Sequence, residues 1–165
     1  MKKAATEVDG MALDKNDIKI LNILQENGRI TNAKLAAEIG ISPPAMLERV
    51  KRLESSGVIR KYFALLDREK TGFGLMAIII ISLSLHQISS LQQVKERLII
   101  LDEVLECYQL TGDVDFMLKV AVRDMPSYTA FINDKLSSIP GIQNIRTSFV
   151  LDTLKSTTKL HLKEE

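Results

Sequence analysis

The stretch TNAKLAAEIGISPPAMLERVKRLESSGVI, residues Thr31–Ile59, decides how the first part of this chain folds. Thr31 is a good N-cap for a short helix, and Gly40 stands where the end of that helix favours a residue that tolerates positive φ. Ser42 then caps a second helix. Pro43 suits its first position, because the N–H that proline lacks has no intrahelical partner there. The stretch predicts two short helices joined by a tight turn.

The second predicted helix has an apolar face and a polar face. Met46, Val50 and Leu53 fall on one side at about 100° per residue, and they form the face that packs. Ala36, Gly40 and Met46 have the spacing of a helix-turn-helix, because helices cross closely only over a small side chain. An ordinary helical hairpin with a solvated basic face is the alternative. The other face carries Ala45, Glu48, Arg49 and Arg52.

A third helix is predicted upstream of this motif. Asp14 can cap it, and Asp17 can reach back as in a capping box. Asn27-Gly28 ends the helix, and its apolar stripe supplies a core for the other two. Residues 1–12 are polar and lack periodicity, so they predict a flexible N-terminal arm.

A strand and a linker follow the motif. The β-branched and aromatic residues of Val58–Leu66, with basic Arg60 and Lys61, predict a wing strand followed by a connector. Residues 67–74 contain two glycines and predict a domain boundary. Residues 13–66 are therefore interpreted as a winged helix-turn-helix domain.

Beyond Gly74 the pattern changes to alternating strands and helices. The predicted order is βαββαβ, the ferredoxin-like arrangement, in which both helices cover one face of an antiparallel sheet. With the first domain, this makes the fold class α+β. The second domain, residues 75–165, has predicted strands at 75–85, 103–111, 114–122 and 142–151, helices at 89–99 and 127–138, and room for a short fifth strand at 156–162.

The first strand of this second domain is apolar on both sides. Ile78 to Ile81 place large side chains on both faces of the sheet, so the face without helices must also be covered. We expect another subunit to cover it, which makes the protein a dimer through this domain. The alternative is that a terminal strand or a connector covers the face.

Charge is unevenly distributed along the chain. The 165 residues are 45% hydrophobic and 26% charged with a net charge of +1, which fits a globular protein and gives no overall bias toward a polyanion. Residues 1–66 carry 11 basic and 8 acidic residues. From Gly28 to Lys61, seven bases face three acids, and this local excess is where phosphate contacts would arise.

The sequence shows few signs of a disulfide, a metal site or a membrane segment. The single cysteine, Cys107, cannot form an internal disulfide and is interpreted as a small core residue. His86 and His161 are far apart and have no partner at ligand spacing, so no metal site is predicted.

The longest apolar run, Leu75–Ile81, is too short to span a bilayer, and no signal-peptide layout is present. We expect a cytoplasmic protein with no membrane partner.

Five stretches from both halves of the chain carry a resemblance to a known family. They are LDKNDIKILNILQENGRI, TNAKLAAEIGISPPAMLERVKRLESSGVI, LTGDVDFMLKV, DMPSYTAFINDKL and PGIQNIRTSFVL. Through them the chain resembles the Lrp/AsnC family (leucine-responsive regulatory protein and asparagine regulator, the feast/famine regulators). This resemblance implies a winged helix-turn-helix joined to an effector-binding and oligomerisation domain. It also implies dimers that assemble into octamers, and transcriptional regulation modulated by amino acids.

The predicted partner of the helix-turn-helix is double-stranded DNA. Its second helix fits a major groove, where an arginine paired bidentately with guanine gives about 1–3 kcal/mol of discrimination. Phosphate contacts give affinity and salt dependence without sequence information. Glu48 lies one turn before Arg52, so those two can instead pair with each other. Lys34, Lys51, Arg60 and Lys61 are the phosphate candidates, and Ser42, Ala45, Glu48, Arg49 and Arg52 are expected nearest the bases and backbone.

The segment from Thr111 to Asp115 resembles the family's effector loop. An amino acid presents an ammonium, which needs an anion or carbonyls, and a carboxylate, which needs N–H donors. Asp113 or Asp115 would take the ammonium, and hydroxyls of the last sheet strand would add contacts. A plain β-turn with solvated aspartates is the alternative. The candidate effector residues are Thr111, Gly112, Asp113, Asp115, Thr147 and Ser148.

Two other functions fit part of the sequence. Some haem-pathway decarboxylases resemble this two-domain architecture, but they would need proton-handling residues in a pocket. A metabolite sensor that acts only through protein partners would bind a ligand without any DNA footprint. The sequence contains no glycine-rich phosphate loop, GxSxG or HExxH. We expect a regulator rather than an enzyme, with no cofactor apart from an amino-acid effector.

Overall fold

The computed structural model describes residues 7–8, 11–84 and 91–163. The chain divides into two units, one of Met1–Leu65 with Ser156–Glu165 and one of Leu66–Lys155. The elements in order are β1 (Glu7–Val8), β2 (Met11–Ala12), α1 (Lys15–Glu26), α2 (Asn32–Ile39), α3 (Pro43–Ser55), β3 (Leu75–Leu83), α4 (Leu91–Ile99), β4 (Val104–Gln109), β5 (Phe116–Val122), α5 (Met125–Ala130), a π-helical segment (Phe131–Leu136) and β6 (Ile142–Phe149).

The three predicted helices of the first unit are confirmed together with their caps. Asp14 and Asp17 form the reciprocal capping box of α1. The Thr31 hydroxyl accepts from the Lys34 N–H at 3.3 Å, and Gly40 ends α2 at φ 81°. Ser42 is the N-cap of α3 by backbone conformation, but its side chain makes no capping bond. Prolines fill the first two positions of α3, so the donor at the second position is missing.

The helices of the first unit share one apolar core. Its members lie on the inner faces of α1, α2 and α3. They recur along each helix at the three- and four-residue spacing that the sequence shows. Removal of these side chains from water stabilises the unit by about 1.5–3 kcal/mol for each large aliphatic residue. The buried cluster consists of Ile20, Leu21, Leu35, Ala36, Met46, Val50 and Leu53.

The C-terminal segment belongs to the first unit, which corrects the predicted boundary of the second domain. Leu162 packs against the helical core, and its carbonyl accepts from Asn22 Nδ2 at 3.2 Å. The Gln25 side chain donates to the Leu160 carbonyl at 3.1 Å and accepts from the Leu160 N–H at 2.6 Å. The short fifth strand predicted at 156–162 is wrong, because this segment bonds to helix side chains instead of a sheet edge.

The predicted wing strand at 58–66 is not formed in the described chain. Val58 and Ile59 pack against the helical core, but the rest of the segment has no strand partner among the described residues. Tyr62, Phe63 and Leu65 are exposed. A strand requires a neighbour for its backbone groups, and a sequence pattern cannot supply one.

Part of the predicted N-terminal arm has regular structure. β1 pairs antiparallel with β2, with Glu7 opposite Ala12 and Val8 opposite Met11. Two-residue strands are too short to give a periodic signal. Residues 1–6 and 9–10 lie outside the described chain, and the flexibility of the arm stays a prediction.

The second unit has the predicted ferredoxin-like topology. Its four-stranded sheet has the order β4-β5-β3-β6 with antiparallel neighbours. Ala77, Ile79 and Ile81 of β3 are buried against Val94 and Leu98 of α4 and against the π-helical segment. The helix predicted at 89–99 is seen from Leu91, and residues 89–90 lie outside the described chain. The α+β fold class is confirmed.

The face of the sheet without helices is partly apolar. Ile78 and Ile80 point away from the buried face and are half-buried. The register places Lys119 and Met117 of β5 opposite them. Large apolar groups therefore do lie on both faces of β3, as the sequence predicts, and their cover by another subunit stays a prediction.

Candidate DNA-binding surface and effector site

The outward face of α3 carries a row of exposed polar side chains. Glu48 and Lys51 are exposed on α3, Ser42 is exposed at its N-cap, and Ala45 is half-buried beside Glu48. The opposite side of α3 is anchored in the core by three buried residues, so this row has a fixed direction. Exposed positive charge also lies elsewhere in the unit, at Lys34, Arg60 and Lys61.

Arg49 and Arg52, by contrast, face α1 and form ion pairs. Arg49 Nη1 lies 2.6 Å from Asp14 Oδ2 and 2.9 Å from Asp17 Oδ1. Arg52 Nη2 lies 2.7 Å from each carboxylate oxygen of Asp17. The Glu48–Arg52 pair that the sequence allowed is replaced by this pairing with α1.

The ion pairs of Arg49 shift the pKa values of Arg49 and Asp14. The Asp14 carboxylate, and the Asp17 carboxylate after it, raise the pKa of Arg49 against a smaller opposing effect of burial. Burial opposes a low pKa at Asp14, but the Asp17 N–H and the Arg49 guanidinium together lower the pKa of that carboxyl. Both shifts favour the charged forms of Asp14 and Arg49, so the contact between these two side chains is an ion pair.

The sequence identified Asp14 and Asp17 only as capping residues and missed their contact with α3. A signal was available, since the two aspartates are three residues apart and so are the two arginines. Side chains at that spacing lie on one face of a helix, which allows two such pairs to meet across a helix crossing.

The predicted effector loop joins β4 to β5 and is anchored on β3. Gly112 takes φ 107°, a conformation that favours glycine. The Asp115 carboxylate accepts from the Leu83 N–H at 2.7 Å, and the Asp115 N–H donates to the Ile81 carbonyl at 2.9 Å. Asp115 is thus bonded to the backbone of the neighbouring strand, while Asp113 is exposed.

The two predicted hydroxyl residues of β6 lie on opposite faces of the sheet. Thr147 pairs with Ile79 in register, and its hydroxyl accepts from the Tyr128 hydroxyl at 2.7 Å on the helix-covered face. Ser148 pairs with Ile78 and lies on the other face. The alternation of side chains along a strand separates them, so they cannot both serve one site.

A pocket of about 500 Å³ lies on the face without helices, beside the effector loop. It contains one of the predicted effector residues, Asp113. Arg146 and Asn144 of β6 were not predicted, although they alternate with the half-buried positions Ile145 and Thr147 of that strand. The pocket thus combines a cation, an anion, an amide, a hydroxyl and apolar groups. It is lined by Ile80, Ser82, Asp113, Val114, Asn144 and Arg146.

The part of the chain that the structure describes contains no group of three or more His, Cys, Asp or Glu side chains that could hold a metal ion. None of its helices is long and apolar enough to cross a bilayer. Cys107 is half-buried in β4, and burial raises the pKa of its thiol. His86 lies outside the described residues.

Comparisons with known proteins cover nearly the whole chain. Residues 76–160 match the Lrp/AsnC ligand binding domain, and residues 13–60 match a winged helix-turn-helix DNA-binding domain. The leucine-responsive regulatory protein of Haemophilus influenzae is 41% identical over 152 residues, which is 92% of each chain. The transcriptional regulator AzlB of Bacillus subtilis is 39% identical over 155 residues, covering 94% of this chain and 99% of that one.

A solved structure extends this likeness to three dimensions. A Neisseria meningitidis transcriptional regulator, crystallised as its complex with L-methionine, matches with a TM-score of 0.86 at 41% sequence identity. The match covers 91% of this chain and 97% of that one.

A winged helix-turn-helix followed by a ligand-binding α/β domain defines a class of ligand-responsive transcriptional regulators. Within this class, the chain belongs to the Lrp/AsnC family. The resemblance found in the sequence is therefore confirmed. These relatives are regulators, and they give no support to a decarboxylase-like enzyme or to a sensor that acts without DNA.

Proposed function

We propose that this chain regulates transcription by placing α3 in the major groove of specific DNA sites. The observation that carries this proposal is the exposed row on α3, backed by a buried face that fixes its direction. Ser42, Ala45 and Glu48 would meet base edges near the start of the helix. Lys34, Lys51, Arg60 and Lys61 would contact phosphates.

Footprinting tests this proposal. Purified protein should protect discrete sites in genomic DNA, and Lys51→Gln should reduce the slope of log affinity against log salt by about 0.9, the value for one lost phosphate contact. Arg97→Gln on α4 of the other unit removes the same charge and should leave that slope unchanged. Uniform protection of all sequences, or equal effects of the two substitutions, would contradict the proposal.

We also propose that an amino acid modulates this activity by binding the pocket beside the effector loop. Arg146 would pair with the ligand carboxylate and Asp113 with its ammonium, while Ile80 and Val114 would contact an apolar side chain. The L-methionine complex of the Neisseria relative supports an amino acid as the ligand. The other predicted residues of the loop would shape it rather than bind the ligand; they are Thr111, Gly112 and Asp115. Ser148 lies on the same face of the sheet as the pocket.

Calorimetric titration with L-methionine and other apolar amino acids tests the effector proposal. Arg146→Gln should weaken binding about tenfold or more, because a charged hydrogen bond contributes about 1.5–3 kcal/mol. Arg97→Gln serves as the control at an exposed position on α4. Unchanged affinity in Arg146→Gln would place the effector elsewhere.

The apolar residues on the same face of the sheet support a proposal about the assembly. We propose that two subunits cover Ile78 and its neighbours, which would bring two α3 helices about one DNA turn, or 34 Å, apart. Further association of four dimers would give an octamer. Analytical ultracentrifugation should show that Ile78→Glu dissociates the dimer, and an unchanged sedimentation coefficient would contradict this. With DNA as its partner, the protein would act in the cytoplasm and catalyse no reaction.

A further inference from the structure

Asp17 is a buried charged residue that the proposed contacts with DNA do not use. Its side chain is fully buried, and among the described residues it is the one charged side chain in the core. A buried carboxylate is stable only when it is paired and fully hydrogen-bonded. The environment of Asp17 must therefore be built to hold its charge.

Every acceptor position of that carboxylate is in use. Oδ1 accepts from Arg49 Nη1 at 2.9 Å and from Arg52 Nη2 at 2.7 Å. Oδ2 accepts from the same Arg52 nitrogen at 2.7 Å and from the Asp14 N–H at 3.1 Å. An ionised carboxylate offers about four lone-pair sites, so this one is saturated.

The contacts fix α3 against α1 in two respects. Arg49 and Arg52 are almost one turn apart on α3, so a slide along the axis would break at least one pair. A rotation of α3 by one residue, about 100°, would carry both guanidinium groups away from α1. The same rotation would displace the exposed side chains of Glu48 and Lys51.

We propose that Asp17 acts as a positioning residue for DNA recognition, holding the orientation of α3 through Arg49 and Arg52, which themselves read no bases. This inference rests on the proposed function, because it concerns how α3 meets DNA. It reassigns the two arginines that the sequence placed nearest the bases. Their positive charges are balanced by Asp14 and Asp17, so the salt dependence of DNA binding should come from Lys51 and the other exposed bases.

A double-mutant cycle in the full chain tests the inference. Each variant is titrated by fluorescence anisotropy against a footprinted site and against a scrambled duplex, over a range of salt concentrations. The variants are Asp17→Asn, Arg52→Gln and the double variant. We expect each single substitution to lower the ratio of specific to non-specific affinity by about tenfold, and the double variant to be no worse than either. The salt slope should not change, whereas Lys51→Gln should reduce it by about 0.9.

Arg52→Lys separates orientation from charge and covers the case in which Asp17→Asn does not fold, which circular dichroism would reveal. Lysine keeps the positive charge, but its side chain is one atom shorter than that of arginine, so its ammonium falls short of the place that Arg52 Nη2 holds between the two Asp17 oxygens. Under the proposal it should behave like Arg52→Gln, whereas a residue that only contacts phosphate would tolerate it.

Three results would overturn the proposal. If the effects of Asp17→Asn and Arg52→Gln are additive, and Arg52→Gln also lowers the slope of log affinity against log salt, then Arg52 contacts DNA directly. A lower melting temperature with an unchanged specificity ratio would mean a structural role alone. If the unaltered protein itself gave no footprint, the proposed function would fail and this inference with it.

Discussion

Gln25→Ala should loosen the C-terminal segment from the first unit and lower the stability of the protein. A single amide of α1 makes both bonds to the Leu160 backbone, the donated one at 3.1 Å and the accepted one at 2.6 Å. The bond from Asn22 to the Leu162 carbonyl and the packing of Leu162 remain after the substitution. The segment is therefore weakened rather than released.

The size of the effect follows from those two bonds. A hydrogen bond contributes about 0.5–1.5 kcal/mol net, and exposed bonds fall near the low end of that range. Two such bonds give an expected loss of about 1 kcal/mol in the free energy of unfolding. Gln92→Ala on α4 is a matched control, since its amide bonds to Glu96 of the same helix and should contribute only about 0.2–0.5 kcal/mol.

Urea unfolding followed by circular dichroism measures this difference. With a denaturant slope of about 1–3 kcal/mol per molar, a loss of 1 kcal/mol lowers the midpoint by about 0.3–1 M. In a chain truncated after Lys155, Gln25→Ala should have almost no further effect, because its partners are gone. An effect that persists in the truncated chain, or one equal to that of Gln92→Ala, would refute the contact.

Three further outcomes follow from described contacts. Leu53→Ala removes a fully buried side chain from the helical core and should lower the free energy of unfolding by about 2–5 kcal/mol in a denaturant titration. Tyr128→Phe loses the 2.7 Å bond to Thr147 and should cost about 1 kcal/mol, measured in the same way. The Asp17 N–H and the Arg49 guanidinium lower the pKa of Asp14 from its ordinary value, so its contribution to stability is present above that ordinary pKa and is lost as pH falls through the lower pKa of the folded state. Asp14→Asn should therefore flatten the acid end of the stability curve, and an unchanged curve would show that the ion pair with Arg49 does not form.

Local chemistry made the first unit largely predictable. The caps at Asp14, Thr31 and Gly40 and the apolar periodicity of three helices are short-range features, and the structure has them all. The second unit was predictable for a similar reason, since the order of its elements limits the possible topologies to a few. Its sheet order follows from that sequence of strands and helices.

One predicted helix differs in detail for a reason of packing. The residues predicted as a helix at 127–138 form α5 and then a π-helical segment, in which the Ser137 N–H donates to the Ile132 carbonyl. Phe131 and Leu136 are both buried, although they are five residues apart. In an α-helix this spacing separates them by about 140°, whereas the wider π-helical turn brings them to one side.

Contacts between segments distant in the sequence were the part that could not be predicted. The face of α3 that carries Arg49 and Arg52 was identified, but not the aspartates of α1 that meet them. The segment at 156–162 was predicted as a short strand, but it bonds to α1 through the side chain of Gln25. Each of these depends on a partner that only the folded chain supplies.

The most direct test of the central claim asks which helix touches DNA. A photo-crosslinking amino acid placed at Glu48, on the exposed row of α3, is compared with one placed at Arg97 on α4. We predict that ultraviolet irradiation links position 48 to a footprinted duplex and that excess competitor of the same sequence suppresses the product. Crosslinks from position 97 alone, or from neither position under conditions of full binding, would contradict the placement of α3 in the groove.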